Sequence, residues 1–197
     1  IHRQATIDEG TELNVLHEPA SAECCAPAPP VLEFDPEGNL VGWWGGPGDG
    51  YDWPSSNHGI TVDHMDNVWI GGNGPDDGHI LKFTRDGNFL LQLGRPGIGT
   101  GSNDPENFGR VAEVSIDLGG DEVFVADGYG NRRVAVLDIE TGALKRYWGA
   151  YGNRPDDAPV PPYRPEDPPA QQFRSPVHCA EISDDDFVYV CDRASNR

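Results

Sequence analysis

Short runs of apolar and β-branched residues alternate along most of the chain with clusters of Gly, Pro, Asn and Asp. Val31-Leu32-Glu33-Phe34, the turn Asp35-Pro36-Glu37-Gly38-Asn39 and Leu40-Val41-Gly42-Trp43-Trp44 predict a β-hairpin. The pattern returns in Ile80 to Phe83, Thr84-Arg85-Asp86-Gly87-Asn88 and Phe89 to Gly94. It returns again in Val134 to Leu137, Asp138 to Gly142 and Ala143 to Gly149. Ahead of each later copy a further strand pair is predicted: His58 to Asp63 with Asn67 to Ile70, then Ala112 to Asp117 with Glu122 to Val125. His178 to Ser183 with Phe187 to Val190 makes a third such pair.

Four short strands per unit, repeating at about 40 to 50 residues, are the pattern of a β-propeller blade. The expected fold is therefore all-β, a partial propeller of about three to three and a half four-stranded blades. Residues 1–45 are expected to form the outer part of a blade with a long loop, 57–94 and 108–149 two whole blades, and 173–197 the inner half of another. Residues 150–172 are expected to be a proline-stiffened insertion. Residues 95–107 contain Gly97-Ile98-Gly99-Thr100-Gly101, but no helix is predicted after them, which argues against a phosphate loop. Ile1-His2-Arg3 resembles a strand entered partway, and Arg197 ends the chain where a further strand is expected, so the sequence reads as a fragment of a longer propeller.

Composition sharpens the picture. With 25 Gly, 18 Pro and one Met in 197 residues, turn formers outweigh helix formers. A formal net charge of −19 argues against nucleic acid as partner, since a phosphate backbone is bound by clustered Lys and Arg. No apolar run is long enough for a membrane helix. The expected partner is a small-molecule or peptide substrate, and the expected state a monomer. Cys179 and Cys191 flank a predicted hairpin, where a disulfide or two free thiols are both open; Cys24-Cys25 are either a vicinal disulfide or unpaired. A disulfide suits an exported protein, extracellular or periplasmic.

In a propeller the first strand of each blade lines the central channel. The aligned first-strand positions hold His58, Ala112 and His178. In a six-bladed ring, His58 and His178 stand two blades apart, roughly 120° around the axis. Two imidazoles so placed, with a third in a later blade, make a metal site with an open face; the alternative is that each satisfies local hydrogen bonds. His17, His64 and His79 fall in predicted turns or loops and are expected to be solvated. Tyr129 lies in the loop Asp127-Gly128-Tyr129-Gly130-Asn131-Arg132-Arg133, between the two His blades. A phenol near cations such as Arg132 or Arg133 is a candidate proton acceptor; the alternative is a packing lid. The loop is echoed by Asp192-Arg193-Ala194-Ser195-Asn196-Arg197, so Asp127, Asn131 and Arg132 are assigned to repeat architecture, whereas Tyr129 has only Ala194 as counterpart.

Asn57-His58-Gly59-Ile60, Val123 through Arg132, Phe173 to His178 and Cys191-Asp192-Arg193 resemble the NHL-repeat six-bladed propellers, among them the peptidyl-α-hydroxyglycine α-amidating lyases. The resemblance implies that His58 and His178 are zinc ligands, that Tyr129 is the catalytic phenol, and that Arg3 is the guanidinium that holds the substrate carboxylate or stabilises developing charge. It implies cleavage of the C–N bond of a C-terminal α-hydroxyglycine into an amide and glyoxylate. It places a third His and the residues associated with a calcium ion beyond Arg197. The alternative function is a non-catalytic NHL propeller that binds a peptide, glycan or protein.

Overall fold

The computed structural model describes residues 28–117 and 119–197. Arg3, His2, His17, Cys24 and Cys25 lie outside them. Within them the chain is all-β, with twelve strands in four antiparallel sheets and two short 3-10 turns. Strands β1 (Val31–Phe34) and β2 (Leu40–Trp44) form a hairpin. β3 (Asn57–Val62), β4 (Val68–Gly72), β5 (His79–Phe83) and β6 (Phe89–Gly94) form a four-stranded meander. So do β7 (Glu113–Ile116), β8 (Glu122–Asp127), β9 (Arg133–Asp138) and β10 (Leu144–Trp148). β11 (Val177–Ile182) pairs with β12 (Val188–Asp192).

Side-chain alternation along the central strands builds the layers. On β8, Val123 and Val125 enter a core shared with Trp69, Ile80 and Val114, while Phe124 and Ala126 enter a second core with Phe173, Val177 and Ala180. β9 divides in the same way: Ala135 and Leu137 turn to the first, Val134 and Val136 to the second. A strand buried on both faces needs a continuous apolar run, which is why β8 and β9 do not alternate with polar residues. A third core joins β1 and β2 to the next sheet through Val31, Ile70, Leu81 and Phe83. The sheets therefore stack face to face in chain order, an arrangement compatible with a partial propeller.

The first strands of three successive sheets lie side by side, β3 against β7 and β7 against β11. Thr61 Oγ1 donates to the Val114 carbonyl, and the Ala180 N–H donates to Glu113 Oε2 at 3.2 Å. No strand occurs in residues 150–172; that segment is pinned at Asp157, which accepts from the Ser102 N–H at 2.9 Å and from the Ser102 hydroxyl. The insertion therefore buttresses the 95–107 loop.

Candidate functional site

In three of the four sheets one aspartate fixes the segment that leads into the sheet's first strand. Asp77 accepts from the Ser55 and Ser56 N–H groups at 2.8 and 3.0 Å, Asp127 from the Gly109 N–H at 2.7 Å, and Asp192 from the Arg174 N–H at 3.2 Å. Those segments run on into His58, Ala112 and His178. In two sheets an arginine neutralises the aspartate: Arg133 Nε lies 2.8 Å from Asp127, and Arg197 Nε lies 3.0 Å from Asp192. The sequence echo assigns Arg132 to this role, and the structure corrects it to Arg133, the first residue of β9. Arg132 instead donates to the backbone carbonyls of Asp156 and Ala158 in the insertion.

The two His-bearing strands share a distortion that β7 lacks. The β3–β4 register shifts between His58 and Ile60, and the β11–β12 register shifts between Val177 and Cys179. A β-bulge re-aims a side chain out of the regular pleat. At the first bulge Gly59 has φ +77°, and a Cβ there would meet the Ala112 carbonyl oxygen at 3.2 Å. That same oxygen lies 2.7 Å from His58 Nδ1. A carbonyl only accepts, so His58 carries its proton on Nδ1 and presents the Nε2 lone pair.

Tyr129 is set opposite. Gly128, just before it, packs so closely on Val177 that a Cβ there would fall 1.9 Å from the Val177 carbonyl oxygen. The Tyr129 N–H donates to the Arg110 carbonyl at 3.1 Å, and the Ser175 hydroxyl donates to the Gly128 and Tyr129 carbonyls. Held there, the Tyr129 hydroxyl lies 3.2 Å from His58 Nε2 and 3.1 Å from His178 Nε2. The imidazole centroids are 5.6 Å apart. The phenol has one proton, which goes to His58; its oxygen accepts from His178. If His178 carried its proton on Nδ1 instead, two imidazole lone pairs would converge beside one phenol oxygen. Burial, followed by the charge of Arg193 and of His58, lowers the His178 pKa and favours the neutral ring that a metal requires. The donor atoms thus fit two of the ligands of a zinc ion. Among the described residues no group of three or more His, Cys, Asp or Glu side chains surrounds a common point suited to a metal.

The cations around Tyr129 differ from the sequence expectation. Arg133 is consumed by Asp127 and by the carbonyls of Ser102, Asp104 and Asn107. The guanidiniums that face the ring are Arg110, 5.9 Å from its centroid, and Arg193, at 5.6 Å. Arg193 replaces Gly128 in the loop echo, a departure visible in the sequence; Arg110 has no such marker. His64 is exposed, as expected, but His79 is not. It opens β5 at 1% exposure, lies 2.6 Å through Nε2 from the Asp52 carbonyl, and has its pKa lowered by burial. Cys179 and Cys191 face each other across β11 and β12, Cα atoms 4.9 Å apart, as a disulfide directly after His178 and directly before Asp192.

Glu113 is adjacent to Ala112 and lies near Glu181. Burial and the Glu181 charge push its carboxyl up to about 7. Between the usual glutamate range and about 7, the folded chain holds a proton that the unfolded chain has released. Stability therefore falls as pH rises through that window and stays lower above it. Glu113→Gln is expected to flatten this slope and to raise the melting temperature at about pH 8 relative to the unsubstituted chain. Equal slopes in thermal melts of the two proteins at about pH 5 and about pH 8 would contradict the assignment.

Neither a protein-family model nor a curated protein sequence matches the chain. Among the described residues no helix is long and apolar enough to cross a membrane.

Proposed function

We propose that the chain belongs to an NHL-repeat, six-bladed propeller that acts as a zinc-dependent lyase, cleaving the C–N bond of an α-hydroxyglycine-type substrate. The observation that carries this reading is the convergence of His58 Nε2 and His178 Nε2 on the Tyr129 hydroxyl at 3.2 and 3.1 Å. Generic repeat architecture accounts for Asp127 and Asp192; it does not call for two imidazoles and a phenol at one point.

His58 and His178 would hold the zinc, which supplies electrophilic stabilisation of negative charge on oxygen. The remaining chemistry falls to the chain's own side chains. As its phenolate, Tyr129 would take the hydroxyl proton of the carbinolamide as the carbonyl of glyoxylate forms. The C–N electron pair leaves with the amide nitrogen, which takes that same proton back from Tyr129, so the products are one amide and one glyoxylate. Arg193 holds the carboxylate of the reacting residue and keeps its carbon beside the phenol; in the resemblance Arg3 holds that carboxylate or stabilises developing charge. The Cys179–Cys191 disulfide supports an oxidising compartment, extracellular or periplasmic.

Metal analysis tests the ligand assignment. The purified full-length protein is expected to carry about one zinc per chain, lost on His58→Ala or His178→Ala. Zinc content unchanged in both variants would overturn the site and return the imidazoles to a local hydrogen-bonding role.

A further inference from the structure

Arg110 is anchored more tightly than its place in a loop requires. Its backbone is left-handed, φ 66°, a conformation side chains rarely adopt. Its N–H donates to the Asp77 carbonyl at 3.0 Å, its Nε to the Asn73 carbonyl at 2.8 Å, and its own carbonyl accepts the Tyr129 N–H. The guanidinium is thereby tied to the β3–β6 sheet on one side of Tyr129, while Arg193, after β12, approaches the ring from the β11–β12 sheet. Arg85, Arg133, Arg146 and Arg197 each pair with a carboxylate, whereas Arg110, like Arg193, has no carboxylate partner among the described residues and is set apart by facing the Tyr129 ring. In a chain with 33 acidic and 14 basic residues, a half-buried guanidinium that forms no ion pair is available to an anion from outside.

Arg110 also forms the cationic wall of a cleft of about 330 Å³ lined by Gly97, Gly99, Gly101 and Gly130. Walls made of main chain let a ligand approach closely. Of the other polar walls, Asp77 is spent on Ser55, Ser56 and Gly74, and Asn131 on Asp127; Asp76 stands at the exposed rim. Tyr129 itself does not line the cleft, but its neighbour Gly130 does, and Arg110 reaches from the cleft wall to within 5.9 Å of the Tyr129 ring centroid.

We infer that Arg110 binds an anionic side chain of the residue preceding the cleaved one, so that the preferred substrate carries two negative charges. The inference rests on the lyase reading and narrows its substrate class. Two peptides ending in α-hydroxyglycine, one with aspartate and one with asparagine before it, differ in charge at nearly constant shape. The zinc-loaded protein is expected to show kcat/KM about tenfold or more higher for the aspartyl peptide. Arg110→Gln should bring the ratio close to one. Arg110→Lys, a point charge without the planar fork, should keep part of it and show whether a folded variant retains the preference. Turnover of both peptides at equal rates would overturn the inference and leave the lyase reading standing, as would a preference that survives both substitutions. Turnover of neither would remove the lyase reading and this inference with it.

Discussion

Tyr129→Phe is expected to slow glyoxylate release by about 10² to 10⁴-fold, the usual contribution of a positioned proton-transfer group. The substitution removes one oxygen and leaves the scaffold in place. The Tyr129 backbone remains bonded to Arg110 and Ser175, and the ring still packs against the core that includes Ala126 and Val177. Arg110 and Arg193 still face an aromatic ring. What disappears is the only hydroxyl within hydrogen-bond reach of both His58 Nε2 and His178 Nε2 among the described residues. The variant should therefore keep its zinc and its melting temperature while losing rate. A rate within a few-fold of the unsubstituted protein would show that the ring is a packing lid and that the proton moves elsewhere.

Asp127→Ala is expected to destabilise the fold by about 3–5 kcal/mol, the cost of leaving a buried charge without its partner. Asp127 is fully buried and Arg133 is 1% exposed. Removing the carboxylate strands the guanidinium and frees the Gly109 N–H and the Asn131 amide at once. The contrast is Arg85 with Glu33, whose side chains are 61% and 33% exposed; Glu33→Ala should cost no more than about 1 kcal/mol. Urea denaturation of the two variants measures both. Because Gly109 leads directly into Arg110, a folded Asp127 variant should also lose activity. A shift under about 1 kcal/mol for Asp127→Ala would mean that the repeat aspartate is not what fixes the approach to β7.

The strands and their order were legible because each hairpin carries its own turn chemistry: Asp35 with Asn39, Thr84 with Asn88 and Asp138 with Thr141 close the three repeated turns through side-chain hydrogen bonds. The pairing of His58 with His178 was legible because both occupy the same repeat position. Details that hang on one residue of register were not. Arg132 and Arg133 are neighbours at a strand start and point to opposite sides, so composition cannot say which one meets Asp127. The bulges at His58 and His178, which aim the two rings at Tyr129, arise from register shifts that apolar alternation does not encode. His79 looked solvated because Asp76, Asp77 and Gly78 precede it; in the fold β5 is an interior strand and its first residue is already covered. The placement of Arg110 has no marker in the sequence because it comes from a left-handed backbone and from carbonyls of Asn73 and Asp77 in the neighbouring sheet.

His58, Tyr129 and His178 are brought together from three sheets, and the lyase proposal stands on what they do together. Incubating the zinc-loaded protein with a peptide ending in α-hydroxyglycine and following glyoxylate is the most direct test. Stoichiometric glyoxylate and peptide amide are expected, at a rate that depends on Tyr129. Zinc bound at His58 and His178 with no glyoxylate released above the uncatalysed background would contradict the lyase proposal.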